Sequence, residues 1–327
     1  MSFLALDAAG AFQIVATVTL RTAGLAVDLA KAGATSFRLN ASHMDPASLR
    51  QAADLVRAKA PDAPLVVDLQ GAKMRLGEFT ERTVATDQLV RFSLSPSGDA
   101  FPLPHPELVA GTQVGETLSC DDDRLRFRVT AVSAKEIEAR VLAGGPVRPR
   151  KGINVVEHPV ALTDLTPGDL ERIAAVKDLP NLAFAFSFMT DGREAAWLRK
   201  RAPRAKVVGK VERVEATEDL SSIDEHVDAV WICRGDLGAQ LGMARLAEFV
   251  SGLAPASMRR PVIMAGQVLE HLTEHHEPTR SEVCHLFDLI ARGYAGIVLS
   301  DETAIGKHPV RAVEAAAGLV PGFKALL

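Results

Sequence analysis

The chain reads as an α/β protein: a (β/α)8 TIM barrel with a small inserted β domain after strand 3, placed to act as a lid. Three observations predict this. Eight short runs rich in Val, Ile, Leu and Phe recur along the 327 residues, separated by Ala- and Leu-rich stretches of helical spacing. Runs without polar alternation indicate strands buried on both faces, the condition of a parallel sheet covered by helices. From about Gly77 to Arg150 the rhythm changes to period-two alternation broken by Gly and Pro, the pattern of antiparallel strands and turns. Charged residues also collect where the apolar runs end, as they do at the C-terminal face of a barrel that carries chemistry.

In chain order the strand candidates are Ile14–Thr17, Ser36–Leu39, Leu65–Leu69, Leu182–Ser187, Lys206–Lys210, Ala229–Cys233, Val262–Ala265 and Gly296–Ser300. Between the second and third, Pro46–Ala60 carries apolar residues at helical spacing. Asp45 stands at its N-cap position, and Pro46 at the first helical position, where a missing N–H costs nothing. Asp169–Val176 and Arg193–Arg201 also read as helices. The interruption contains SLSPSGDAFPLPHP, LRFRVTAV and EIEARVLAGG. It predicts a β module over 77–150, leaving 1–76 and 151–327 for the barrel. A module leaving after the third strand would sit at the barrel mouth, where it could close over a site.

Composition narrows the functions. The apolar fraction of 47% and charged fraction of 24% are those of a soluble globular protein, and aromatics at 5% leave the core to Val, Leu, Ile and Ala. A net charge of −4 gives no basic field for nucleic acid or anionic lipid, so neither is an expected partner. No run approaches the roughly 20 apolar residues of a spanning helix. The amino-terminal MSFLALDAAGAF lacks a basic region followed by a long apolar stretch, so no signal peptide is expected. Cys120, Cys233 and Cys284 are odd in number and far apart, which suits reduced thiols in the cytoplasm.

The most informative segments are Val207-Val208-Gly209-Lys210-Val211-Glu212 and Val230-Trp231-Ile232-Cys233-Arg234-Gly235-Asp236-Leu237-Gly238. Each apolar run ends in charge: the first in a lysine and a glutamate, the second in an aspartate within a glycine-flanked turn. A carboxylate at a strand end is costly to bury unless a cation shares the site. Two hard oxygen ligands beside one lysine suggest a divalent metal plus a fixed positive charge, which suits a phosphate ester. The other strand ends extend the set: Arg38, Asn40, Ser42 and His43 after the second, Asp68 with Lys73 and Arg75 after the third, Gln267 after the seventh, and Ser300-Asp301-Glu302-Thr303 after the eighth.

Taken in order, FRLNASH, VVDLQGAKMRLG, DDDRLRFRV, KGINV, GKVER, RGDLG, PTRSE and SDETAIGKHPV resemble the motifs of the pyruvate kinase family and, with the first strand, span Ile14 to Val310. The resemblance implies a phosphotransferase acting on phosphoenolpyruvate, or a related enol phosphate, and ADP/ATP. It implies that Glu212 and Asp236 hold Mg2+ (or Mn2+), that Lys210 stabilises the transferring phosphoryl group, and that the backbone N–H groups of Gly235 and Asp236 receive the substrate carboxylate, with Gln267 nearby. A helix N-terminus is a sound place for that anion. Arg38 and Arg75 would contact phosphates, and Asn40, His43 and Arg75 the nucleotide. Asn40, Ser42 and Asp68 match a K+ site in which Leu69 replaces a ligand, often Thr, and Lys73 replaces a glutamate. An ammonium there takes the place of the ion, so K+ is not expected to be required.

Departures carry expectations too. Gly266 stands where the family has Thr, which implies slower protonation of the enolate or room for a substituted substrate. Val18-Thr19-Leu20 replaces a Gly-Pro, putting adenine contacts in question, and Thr190-Asp191 replaces a basic pair. The chain stops soon after the eighth βα unit, where relatives continue into a regulatory domain. The expectations are no sugar-phosphate activation and a smaller assembly, a homodimer.

Plainer readings stand beside these. Lys210, Glu212 and Asp236 could be a structural ion-pair cluster, Arg38 and Arg75 surface charges, His43 a loop hydrogen-bonder, and Asp301 and Glu302 helix caps. His271, His275 and His276 invite a metal reading but fit a solvated helix face, and Cys233 a small buried apolar residue. Two other functions compete: a metal-dependent pyruvate-enolate C–C lyase or aldolase on the same carboxylate pair, and a catalytically weak ligand-binding paralogue.

Overall fold

The computed structural model describes residues 11–121, 123–158, 160 and 162–327. The segment read for a signal peptide lies largely outside the described residues, as does Asp122 of DDDRLRFRV. Among the described residues, sixteen strands follow in chain order: β1 (Gln13–Val18), β2 (Ser36–Asn40), β3 (Leu65–Leu69), β4 (Arg82–Val84), β5 (Leu89–Ser93), β6 (Phe101–Pro102), β7 (Thr117–Cys120), β8 (Leu125–Val132), β9 (Glu136–Ala143), β10 (Gly145–Val147), β11 (Ile153–Val155), β12 (Leu182–Phe186), β13 (Lys206–Val211), β14 (Ala229–Cys233), β15 (Val262–Ala265) and β16 (Gly296–Leu299).

Eight of them close a parallel barrel in the order β1-β16-β15-β14-β13-β12-β3-β2. The sequence places all eight correctly, and their ends differ from those read above by one residue at most. Strands such as β3, β12 and β14 are buried at every position, which is why their sequences show no alternation. Alternate residues nevertheless point opposite ways. Ala229, Trp231 and Cys233 of β14 join Val66, Ala183, Ala185, Val208, Ile263, Ala265 and Val298 in one buried cluster that fills the barrel.

Helices form where the sequence places them. Helix Pro46–Lys59 is capped by Asp45, whose carboxylate accepts from Ser48 N at 2.8 Å. Helix Pro167–Val176 is capped by Thr166, and the third is shorter than expected, Ala195–Arg201. The histidine-bearing stretch is not a helix face. Only a 3-10 turn, Glu270–Thr273, forms there, with His271 stacked on His275 and His276 on His308 at 3.9 and 3.7 Å. Among the described residues no group of three His, Cys, Asp or Glu is arranged to hold a metal, and no helix is long and apolar enough to cross a membrane.

Contacts divide the chain into two compact units, one running to Gly71 and resuming at Asp164, the other Ala72–Thr163. The second unit is wider than the 77–150 read from alternation. Met74, Leu76, Ile153 and Val155 belong to its core, and β11 pairs antiparallel with β7. Its six-stranded sheet runs β11-β7-β8-β9-β5-β6. In β8, Leu125, Phe127 and Val129 are buried while Arg126, Arg128 and Thr130 are exposed, the alternation of a one-sided sheet. Phe92 and Phe127 meet edge to face at 5.1 Å within that core.

One turn in the barrel unit bears directly on the site. Gly71 has φ +57, and a Cβ there would lie 2.2 Å from Ser187 O. Its N–H and that of Gln70 are held by the buried Asp169 carboxylate at 3.0 and 3.1 Å. Gly71→Ala is therefore expected to destabilise the protein by about 2–4 kcal/mol through left-handed strain and backbone collision, read as a lowered thermal midpoint.

Candidate active site

Lys210 comes from the C-terminal end of β13 and points into the barrel. Its Nζ lies 3.1 Å from Asp68 Oδ1 and 2.9 Å from Glu212 Oε1, and donates to Ser187 Oγ at 2.9 Å. All three ammonium donors thus have partners. Asp68 is shared with Arg38, whose Nε and Nη2 reach Oδ2 at 2.8 and 2.6 Å, while Arg38 Nη1 donates to Thr17 Oγ1 at 3.1 Å. Glu212 Oε2 accepts from Phe188 N at 2.9 Å. Ser42 Oγ donates to Asn40 Oδ1 at 2.7 Å.

These groups surround a cavity of about 160 Å³ lined by Arg38, Asp68, Lys210, Glu212, Gly235 and Asp236, with Trp231, Cys233, Ala265, Gly266, Val298 and Ser300 completing the wall. Every lining residue is at or just beyond the C-terminal half of a barrel strand. Helix Arg234–Leu241 begins there, so its first-turn N–H groups, Gly235 among them, have no i−4 carbonyl to serve. A Cβ added to Gly235 would meet nothing within 4 Å. The turn is open to a ligand.

The charges are not balanced. Two cations face three carboxylates around one cavity. Burial and then Lys210 act in opposite directions on Asp68, and Lys210 with Arg38 prevails, holding it below the usual carboxylate range. Burial acts against the Lys210 ammonium, but Asp68 and Glu212 outweigh it and raise Lys210 above its ordinary value. Glu212 is pushed up, chiefly by burial; Lys210 opposes this, but the charges of Asp236 and Asp68 add to it. Burial and the Glu212 charge likewise keep the Cys233 thiol well above its ordinary value, so it is a neutral part of the wall.

This donor set fits a hard divalent cation. Glu212 and Asp236 border the same cavity closely enough for the Asp236 charge to act on Glu212, and a dication would offset the excess negative charge. The two carboxylates are few, but Mg2+ commonly keeps several waters and is held by one or two carboxylates plus substrate oxygens. The oxygens of Glu212 that accept from Lys210 and Phe188 retain lone pairs for a metal.

A family model described as the pyruvate kinase barrel domain matches residues 11–313. The chain belongs to the pyruvate kinase family. It is 33% identical over 300 residues to a pyruvate kinase from Methylorubrum extorquens, covering 86% of this chain and 62% of that protein. It is 31% identical over 319 residues to one from Agrobacterium vitis, covering 92% and 67%. The chain therefore spans roughly two thirds of the length of these curated relatives. A crystal structure of Cryptosporidium parvum pyruvate kinase superposes with a TM-score of 0.82 at 22% identity, over 97% of this chain and 71% of that one, a likeness of fold.

Within this pyruvate kinase barrel, Arg38, Asp68, Lys210, Glu212, Gly235 and Asp236 converge on the cavity as the sequence suggests. Others do not line it. His43 is exposed at the end of the 3-10 turn Ala41–His43. Gln267 is exposed too, with φ +53, and offers its carbonyl to Arg234 Nη2 at 2.9 Å. Lys73 and Arg75 belong to the second unit. There the Arg75 backbone meets His105 Nε2 at 2.9 Å, and Arg75 Nη1 donates to the Arg150 carbonyl at 3.0 Å. Ser300, read among the strand-end residues, lines the cavity, whereas sequence reading overlooked Ser187, Thr17 and Trp231 as parts of the site. Period-two alternation back from Lys210 and Cys233 along their strands was the signal for Trp231.

Proposed function

We propose that the chain transfers a phosphoryl group from phosphoenolpyruvate, or a substituted enol phosphate, to ADP. The observation that carries this is Lys210, buried and charged, beside Glu212 and Asp236 on one cavity that a helix N-terminus also faces. Phosphoryl transfer asks a protein mostly for positioning and charge neutralisation, and this ring supplies both.

Lys210 places a fixed positive charge against the transferring group. The first turn of helix Arg234–Leu241 receives the substrate carboxylate on the N–H groups of Gly235 and Asp236. Arg38 is oriented by Asp68 and adds a second positive charge, while Arg75 and Asn40 are assigned to the nucleotide on resemblance. Glu212 and Asp236 hold Mg2+ or Mn2+, which when bound neutralises charge on substrate oxygens. The Gly266 turn has φ +86, and a Cβ there would sit 3.4 Å from Gly235 N. The absent side chain leaves space beside the carboxylate-binding turn, which supports acceptance of a substituted enol phosphate.

We also assign K+ independence. The assignment rests on the resemblance: Lys73 stands where K+-dependent relatives carry a glutamate, and its ammonium takes the place of the ion. Exchanging K+ for Na+ at constant ionic strength should change kcat/KM by less than about twofold.

The test is ATP formation from ADP and enol phosphates with Mg2+ in a coupled assay. ATP from phosphoenolpyruvate or a substituted form supports the reading. Absence of ATP with every enol phosphate, together with nucleotide-free aldol cleavage of a pyruvate adduct, would replace it with the lyase.

A further inference from the structure

Arg234 makes an unusual clamp beside the cavity. Its Nε and Nη2 donate to the Gly266 carbonyl at 3.0 and 2.6 Å, and Nη2 also to the Gln267 carbonyl at 2.9 Å. The remaining arm, Nη1, lies 2.8 Å from His285 Nε2 on helix Arg280–Ala291. Gly266 and Gln267 both have positive φ, +86 and +53, and for Gln267 that conformation costs of order 1–2 kcal/mol unless its surroundings hold it. Gly266 lines the cavity. The clamp therefore ties a strained turn to the start of helix Arg234–Leu241, the two segments forming one wall.

A guanidinium can only donate. The contact with His285 is a hydrogen bond only if Nε2 carries no proton, which fixes a neutral imidazole with its hydrogen on Nδ1. An imidazolium has no acceptor and would set a second positive charge against the guanidinium.

We propose that His285 is a positioning residue: its neutral imidazole anchors Arg234, Arg234 holds the Gly266–Gln267 turn against the carboxylate-binding turn, and protonation of His285 releases that wall of the cavity.

The surroundings favour the neutral form. Burial and then Arg234 hold His285 below the ordinary histidine value; Asp288 opposes them and Arg292 adds to them. Arg234 in turn faces Tyr294 and Glu302. Burial pushes the Tyr294 hydroxyl up to about 12 and raises Glu302 as well, so Tyr294 stays neutral in the working range. The sign follows. Below about pH 6.5 the unfolded chain takes up the His285 proton before the folded one does, so this contribution to stability is lost as pH falls below that value. None of Arg234, His285 or Gly266 is a proposed metal ligand or reacting group.

Only the kinetic consequence rests on the phosphotransfer reading, and two measurements keep the claims separate. The first follows the Gly266 amide by 15N–1H NMR from pH 8 to pH 5 in the full chain and in His285→Asn, whose side-chain carbonyl accepts at every pH. The expected result is a Gly266 shift in step with a histidine midpoint below 6.5, absent in His285→Asn. The second is the kcat/KM profile for phosphoenolpyruvate. The full chain should lose about tenfold from pH 7 to pH 5, the equivalent of one hydrogen bond to a charged group, while His285→Asn stays within about twofold. A Gly266 amide that does not respond, or an acid limb that persists unchanged in His285→Asn, would overturn the anchor. A responding amide with no turnover at any pH would instead reject phosphotransfer and leave the anchor standing.

Discussion

Replacing Lys210 with Met is expected to lower kcat for phosphoryl transfer by about 10³-fold or more, with a smaller change in KM. A preorganised charge aimed at a group that gains negative charge acts mainly in the transition state, so its removal appears in kcat. The same substitution strands the buried Glu212 carboxylate and leaves Asp68 with Arg38 alone. Asp68 and Glu212 lie 3.1 and 2.9 Å from the ammonium, and its removal is expected to cost about 3–5 kcal/mol. Adding Glu212→Gln removes the stranded charge. It should recover part of the stability and none of the rate, a separation that thermal melts and the coupled assay read directly. A folded Lys210→Met protein within tenfold of the parent would remove Lys210 from the chemistry.

Glu212→Gln is expected to weaken Mn2+ binding on the order of 100-fold or more, with turnover at fixed metal falling in proportion. Indirect partners of metal ligands already account for 10–100-fold effects, and a direct ligand should do at least as much. Metal-free stability should change by only about 1 kcal/mol. Burial and the neighbouring carboxylates already press against the Glu212 charge, and a Gln oxygen can still accept from Lys210 or Phe188. The contrast with Lys210 is diagnostic. One substitution strips the site of a cation that the fold needs, the other of an anion whose burial Lys210 offsets only in part. Manganese titration by paramagnetic resonance reads the affinity; unchanged affinity in Glu212→Gln would place the metal elsewhere.

The barrel was legible because its strands are buried on both sides, leaving unbroken apolar runs such as Leu65–Leu69 and Ala229–Cys233, and because Asp45 with Pro46 marks a helix start without ambiguity. The charged centre was legible for the same reason: a lysine, a glutamate and an aspartate at the ends of such runs contradict their surroundings. What escaped was contributed by geometry. Ser187 looks like the end of a strand, yet its hydroxyl joins Lys210 to the β3 end. Trp231 reads as core and is core, but it is also part of the cavity wall, a fact that depends on barrel closure. The pairing of Arg234 with His285 spans 51 residues and two helices, and no local pattern announces it. The unit boundaries moved outward because alternation becomes visible only in the long strands, whereas Met74 joins the same core from outside any strand and Val155 from the three-residue β11. The histidine trio misled because i, i+4 spacing suggests a helix that Pro278 and a 3-10 turn prevent.

The central claim is that Glu212 and Asp236 share a dication beside a charged Lys210. The most direct measurement is anomalous X-ray scattering at the manganese edge from crystals soaked with Mn2+ and oxalate, a mimic of enolpyruvate. The expected map has one manganese peak bonded to a carboxylate oxygen of each of Glu212 and Asp236, with oxalate against the first turn of helix Arg234–Leu241 and Lys210 at its edge. A manganese peak away from both carboxylates, or none while Lys210 and Glu212 remain paired and oxalate lies elsewhere, would contradict it.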